Sequence, residues 1–491
     1  MNFSINSRKI GTLVATSESP STIKVHFVLK DETVQVSRGE LVEIISSGEE
    51  PEKRLALAQV QEIRKLNRYY ASVDSVKIYE DSARSLDSIF PTNEWTYSLC
   101  EAKPYGELKA DSVQRLDFPL SPGSIVYRAR SQTIQKFIGL RSLGQGLHLG
   151  TIPTANTPLV ADLTRLLHKH LAILAISGAG KSYTCAVILE ELMKRTKEDG
   201  RLAVVVIDPH GEYANFGEIF ANAETILGSY VQIAIHTLSA FDFATFLPDI
   251  TPVQIRELAK ILRMLNKPYG LPEVANGVEE AEIGGRTKEA LLSWVYSLQD
   301  TRVFGASENP EFNNLLKPGK MVIFDLSDIY SIRQKQILVT YIAKRLFDLR
   351  RRQSVPPFML LVEEAHQFCP EGGTSLSKRI IETIAREGRK FYAGLCLVSQ
   401  RPVRLSATAL SQCNSNLIMR IRNPYDLDFI ARTSEGIDRS SLNQLPDLNV
   451  GEALLLGNAV RFPVFFKVRP RETKVKFEKS LEDVIKLYEV P

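Results

Sequence analysis

The 491-residue chain changes its hydrophobic rhythm partway along. Up to about residue 130, short β-branched or aromatic runs (KIGTLVA, TIKVHFVL, ELVEIIS, YSLCEA) are broken by Ser, Pro, Gly or Asp clusters. Such spacing predicts several short strands in a small barrel or sandwich. Residues 52–70, EKRLALAQVQEIRKLNRYY, fit helix and strand equally well. From about residue 171, near-continuous apolar runs take over: LAILAI (171–176), LAVVVID (202–208), KMVIFDLS (320–327), FMLLVEE (358–364), GLCLVSQ (394–400) and NLIMRI (416–421). Runs of this kind suit a parallel sheet covered on both faces. Between them, Leu338, Tyr341, Ile342, Leu346 and Leu349 recur at helical spacing over 331–352. The expected class is a doubly wound α/β domain.

Residues 240–315 interrupt this alternation and read as a helical insertion. Thr251 is a candidate N-cap, with Pro252 at the first helical position and Gln254 completing a capping box. Leu291, Leu292, Val295 and Leu298 mark another helix. After residue 450, EALLLG and VFFKV predict two further strands, and the tail 471–491 ends in an amphipathic stretch, SLEDVIKLYEV.

Composition narrows the class only a little. Hydrophobic content of 44% with 24% charged residues is ordinary for a soluble globular chain. A net charge of +4 is too small to announce nucleic acid unaided, so any such surface must be local. The five cysteines form no C-x-x-C pair, which argues against a zinc ribbon or disulfide framework. No secretory signal and no apolar run of membrane-spanning length is present, so no membrane association is expected, and the cytoplasm is the expected compartment.

The first candidate chemistry follows LAILAI. The stretch AISGAGKS matches the phosphate loop G-x-x-x-x-G-K-[ST], except that Ala175 stands where the first glycine belongs. Gly178, Ala179 and Gly180 would turn backbone amides toward phosphate, and Lys181 would reach the outer phosphates of ATP. The Ser182 hydroxyl would bind Mg²⁺, and Tyr183, next in the first helical turn, is also expected to bind the nucleotide. A left-handed alanine at 175 would cost ~1–2 kcal/mol. Several charge-assisted hydrogen bonds, each worth on the order of 1.5–3 kcal/mol, outweigh that.

Three further motifs end strands downstream. In LLVEEAHQF, Glu363 would hold Mg²⁺ through water and Glu364 would polarise the attacking water. In GLCLVSQRP, Gln400 would sense the γ-phosphate or position water. In IDPHGEY, Asp208 is expected beside the phosphate loop, with Glu212 following it there, while His210 has no partner at ligand spacing. Upstream of Gln400, AREGRKF carries Arg386 and Arg389, candidates for stabilising transition-state charge from a neighbouring subunit.

Together and in this order, HLAILAISGAGKSYT, DPHGEY, LLVEEAHQF, AREGRKFYAGLCLVSQRP and LPDLNVGEALLLGNAVRFPVFFKV resemble the HerA branch of the HerA–FtsK superfamily of DNA-translocating ATPases. The resemblance implies a RecA-like P-loop ATPase domain over 131–470, with its insertion at about 240–315. It also implies a small N-terminal β-barrel and linker over 1–130, and a tail, 471–491, that braces a neighbouring subunit. By resemblance Lys181 and Ser182 bind ATP and Mg²⁺, Glu364 is the catalytic carboxylate and Gln400 the sensor. Arg389, with Arg386 second, is the finger reaching into the next subunit. The family further implies a homohexamer around double-stranded DNA that translocates in DNA-end resection and recombinational repair. Its implied partners are the nuclease NurA and the double-strand-break repair complex. Two competing roles are a nucleotide-switched ring scaffold that holds a nuclease and a secretion- or conjugation-type motor. Ala175 and Glu363, where aspartate is usual, depart from the family pattern. The loop CPEGGTSLSK (369–378), with Lys378 and Arg379, is the candidate DNA contact.

Overall fold

The computed structural model describes residues 9–47, 53–81, 86, 90, 92–109, 112–247, 249–474, 482, 485 and 486. The chain packs as two compact units, 1–161 with 460–467, and 162–459 with 468–491.

In the first unit the short-strand pattern resolves to a barrel. Its strands are β1 (Lys9–Val14), β2 (Val25–Leu29), β3 (Leu41–Ser47), β4 (Lys53–Asn67), β5 (Thr96–Lys109), β6 (Ser112–Gln114) and β7 (Ile125–Arg128). They pair in the order β2–β1–β7–β3–β4–β5, and β2 pairs back onto β5, closing six strands with β6 added on β5. The ambiguous 52–70 segment is mostly strand. Its Leu, Ala, Glu and Lys content favours helix locally, but β4 pairs with β3 and β5 on its two sides. Ala56, Ala58 and Val60 of that strand are buried in the barrel core with Phe27, Val42, Ile44 and Val126. The unit also holds an antiparallel pair, β8 (Leu147–Ile152) and β9 (Thr157–Ala161).

The second unit carries the α/β sheet. Its strands are β10 (Leu171–Leu174), β11 (Ala203–Asp208), β12 (Ala223–Leu227), β15 (Met321–Asp325), β16 (Phe358–Val362), β17 (Ala393–Ser399), β18 (Ser415–Ile418) and β19 (Glu452–Gly457). A separate short parallel pair consists of β13 (Ile233–Ala234) and β14 (Phe304–Gly305). The sheet order is β12–β15–β11–β16–β17–β10–β18–β19, parallel except for the β18–β19 pair. VFFKV forms β20 (Val464–Val468). β12 escapes sequence reading because AETIL is half-exposed at the sheet edge and carries no long apolar run.

The helix Ile332–Arg351 buries Leu338, Tyr341, Ile342, Leu346 and Leu349 as its spacing predicts. Thr251 and Gln254 form the capping box that starts the helix Pro252–Met264. In Gly285–Gln299, Leu291, Val295 and Leu298 are buried, while Leu292 is only partly so. All five cysteines are free and buried. No helix among the described residues is long and apolar enough to cross a membrane.

One glycine holds the antiparallel end of the sheet. Gly457 faces Ser415 at φ +88°, and a Cβ there would lie 1.8 Å from the Asn414 carbonyl oxygen. Gly457→Ala is expected to cost more than about 4 kcal/mol, since a backbone clash adds to left-handed strain. Gly436→Ala is the control, at φ +82° with nothing within 4 Å of its added Cβ. Thermal unfolding of the two variants should differ sharply; equal midpoints would remove the steric argument.

Candidate nucleotide site

Three neighbouring parallel strands, β16, β17 and β10, end at one edge of the sheet, where ligands bind in open α/β folds. The phosphate-loop sequence follows β10. Ala175 continues the strand, donating its N–H to the Ser399 carbonyl at 3.2 Å, and Ile176 donates to Arg420 at 3.1 Å. Ala175 is absent from the positive-φ residues, so the expected left-handed cost does not arise. The left-handed positions are Gly178 (φ 74°) and Gly180 (φ 100°). A Cβ at Gly180 would also sit 3.2 Å from Met419 Cε. These are the two positions where the loop needs glycine.

Gly180 caps the helix Lys181–Met193 without a side-chain bond. The first ladder bond runs from the Thr184 N–H to the Gly180 carbonyl, at 2.9 Å. The amides of Gly180, Lys181, Ser182 and Tyr183 find no acceptor among the described residues, as expected of an uncapped helix start. Ala179 is buried, its N–H turned back to Ile176. The Ser182 hydroxyl is half-buried and makes no hydrogen bond among the described residues. Four open amides, a lysine and a free hydroxyl at a helix N-terminus fit a polyphosphate with its divalent cation.

Lys181 is buried and donates to two carboxylates, Glu363 Oε2 at 2.6 Å and Glu364 Oε1 at 3.0 Å. Burial works against its ammonium, but the two glutamates outweigh it and its pKa rises above the ordinary lysine value. Both glutamates reach Lys181 because Glu364 adopts a left-handed conformation (φ 48°, ψ 43°), which breaks strand alternation just past β16. A non-glycine residue there stores strain of about 1–3 kcal/mol, the kind that accumulates at functional sites. Burial pushes the fully enclosed Glu363 carboxyl upward, with Lys181 and the Tyr213 hydroxyl acting against that.

Gln400 donates its Nε2 to Glu364 Oε1 at 2.6 Å. Asp208 ends β11, but its carboxylate folds its own turn, accepting from the His210, Gly211 and Tyr213 amides. Burial lifts its pKa to about 6, and Asp325 adds to the rise. No hydrogen bond joins Asp208 to the phosphate loop among the described residues. The turn instead delivers Tyr213, whose hydroxyl donates to Glu363 Oε1. Glu212 keeps a buried Oε2 without a hydrogen-bond partner.

Tyr213 is one residue that sequence reading missed, although DPHGEY contained it. His366 is another, with Nδ1 3.3 Å from Glu364 Oε2. His168 and His170 lie outside the site. His170 is buried, bonded to Ala385 and Leu395, and burial pushes it down to about 4.

Other expected residues stand apart from this cluster. Arg386 and Arg389 are exposed, and neither forms an ion pair among the described residues. Lys378 and Arg379 line a cleft of about 1230 Å³ with Trp294, Arg333 and Lys344. The loop before them is tied down, with Ser375 and Ser377 donating to the Phe368 carbonyl and Glu371 accepting from the Ala407 amide. Past β20 the chain returns to the phosphate-loop helix. There the fully buried Glu190 accepts from Arg469 at 2.9 Å and from the Glu472 and Thr473 amides, while Arg471 N–H donates to Tyr183 Oη at 2.6 Å. Of the tail 471–491, expected to brace a neighbouring subunit, residues 471–474, 482, 485 and 486 are described, and the rest lies outside the described residues.

The family described as "Helicase HerA, central domain" matches residues 147–346. A probable helicase of Methanocaldococcus jannaschii, MJ1565, is 31% identical over 415 residues, covering 77% of this chain and 78% of that protein. The DNA double-strand break repair helicase HerA of Saccharolobus solfataricus is 30% identical over 385 residues, covering 71% and 73%. Among solved structures, VirB4 of Thermoanaerobacter pseudethanolicus aligns with TM-score 0.52 at 16% identity, over 68% of this chain and 98% of that one. That likeness concerns the fold. With identity at this level over most of both chains, and the phosphate-loop cluster assembled at the sheet edge, this chain belongs to the HerA helicase family.

Proposed function

We propose that this chain is an ATP-driven motor on double-stranded DNA, working as a homohexamer with a nuclease partner of the NurA type in DNA-end processing. The observation that carries the reading is the convergence of Lys181, Glu363, Glu364 and Gln400 on one buried cluster beside four open helix-start amides. In this reading the amides and Lys181 take the phosphates of ATP. Lys181 exchanges its two glutamates for the phosphate anions as nucleotide binds, which frees Glu364 to accept a proton from the attacking water. Ser182, and Glu363 through water, would hold Mg²⁺, which when bound neutralises charge on the phosphates. Gln400, already on Glu364, orients the water. Arg389, with Arg386 second, acts on the neighbouring subunit's site; their exposure is compatible with that role. Lys378 and Arg379 contact the DNA backbone.

The test is ATP hydrolysis with and without blunt duplex DNA, run beside native mass and displacement of a third strand from the duplex. Stimulated hydrolysis, a six-chain mass and ATP-dependent displacement are expected. Hydrolysis without displacement would replace the motor by a nucleotide-switched ring scaffold. Stimulation that survives Lys378→Ala with Arg379→Ala would remove those two residues from the DNA surface.

A further inference from the structure

His366 has no part in the chemistry above, yet its contacts tie it to the centre of the site. Its Nδ1 lies 3.3 Å from Glu364 Oε2 and 3.1 Å from Ser399 Oγ. Ser399 is fully buried at the end of β17, and its Oγ also accepts the Arg401 amide at 3.1 Å. A carboxylate oxygen accepts hydrogen bonds, so a proton on Nδ1 makes the approach of the ring to Glu364 Oε2 an attractive one. Burial pushes His366 below the usual imidazole value; Glu364 pulls it upward, and Arg401, Lys181 and Arg404 push it further down. With its proton on Nδ1 the ring donates to Ser399 Oγ and turns the same edge toward Glu364. Glu364 accepts hydrogen bonds on Oε1 from Lys181 and Gln400, and its Oε2 faces the His366 ring edge at 3.3 Å.

The consequence appears when Lys181 leaves for phosphate. Glu364 then loses one of its grips, and its left-handed backbone limits the side-chain rotamers without fixing one. Of the remaining contacts, Gln400 is itself assigned to water or phosphate. We infer that His366 is a positioning residue that, braced by Ser399, holds the Glu364 carboxylate in its water-facing orientation throughout the cycle. The inference rests on the reading of Glu364 as the carboxylate that polarises water. The geometry also couples Glu364 to the strand that presents Gln400, since Ser399 and Gln400 are consecutive residues.

The test compares His366→Ala, His366→Asn and His366→Gln in DNA-stimulated ATP hydrolysis, with nucleotide binding followed by a fluorescent ATP analogue. Asparagine places an amide N–H near the Nδ1 position; glutamine places it near Nε2. His366→Ala should lower kcat by roughly 10–100-fold, as loss of an orienting partner does at metal sites, with KM for ATP and analogue binding within about twofold of the parent. His366→Asn should recover most of kcat and His366→Gln should not. In a Glu364→Gln background, adding His366→Ala should cause no further loss. The inference is overturned if His366→Ala retains full kcat, if asparagine and glutamine behave alike, or if the two losses multiply. Turnover retained in Glu364→Gln overturns the reading of Glu364 and this inference with it, whereas turnover lost there but kept in His366→Ala overturns this inference alone. Should His366→Ala fail to fold, the asparagine–glutamine contrast decides.

Discussion

Replacing Lys181 by alanine is expected to abolish ATP turnover and to weaken the nucleotide-free fold. The first effect follows from losing the only cation in contact with both glutamates among the described residues, the group proposed to reach the outer phosphates. Removing one preorganised charge-stabilising donor costs roughly 10²–10³ in rate, and loss of nucleotide binding compounds that. The second effect is specific to this arrangement. Lys181, Glu363 and Glu364 are all nearly inaccessible, so truncating the lysine leaves two carboxylates buried without their counter-charge. Breaking a buried pair in this way costs on the order of 3–5 kcal/mol. Thermal unfolding without nucleotide should therefore drop for Lys181→Ala, and adding Glu363→Gln should restore much of the stability without restoring hydrolysis. An unchanged midpoint in the single variant would show that Lys181 is not the compensating charge.

Glu364→Gln separates binding from chemistry. The amide keeps the shape and can still accept from Lys181 and Gln400, and Glu363 continues to pair with Lys181. Nucleotide binding and unfolding should change little. Turnover should fall by roughly 10²–10⁴, the range for removing a general base. Equilibrium binding beside single-turnover hydrolysis measures both. A variant that binds and hydrolyses normally would move the catalytic assignment elsewhere, with Glu363 the next carboxylate to examine.

Much of this architecture is legible in the sequence because its signals are local. Near-continuous apolar runs announce the buried parallel strands, and Thr251-Pro252 with Gln254 announces a helix start that forms as expected. Sequence fails where a partner decides. β4 is a strand through pairing on two sides despite helix-forming residues, and β12 is too short and exposed to register. At the site, the phosphate-loop match is visible as spacing. That Lys181 sits between two glutamates is not, because it depends on one left-handed residue after β16. Ala175 illustrates the converse. The spelling flagged it as the loop's weak point, yet glycine is needed only where the chain turns, at Gly178 and Gly180. Tyr213 and His366 were in view within quoted motifs, but their importance lies in contacts to Glu363 and Glu364 that no single-sequence pattern encodes.

The return of the chain past β20 gives the molecule a mechanical linkage. Glu190 anchors residues 469–473 along the helix that begins at Lys181, and Arg471 grips Tyr183 in that helix's first turn. Tension on residues 469–473 would thereby reach the same turn whose open amides are proposed to take phosphate. On the proposed reading of the loop, a load applied at residues 469–473 would be felt as a change in nucleotide affinity.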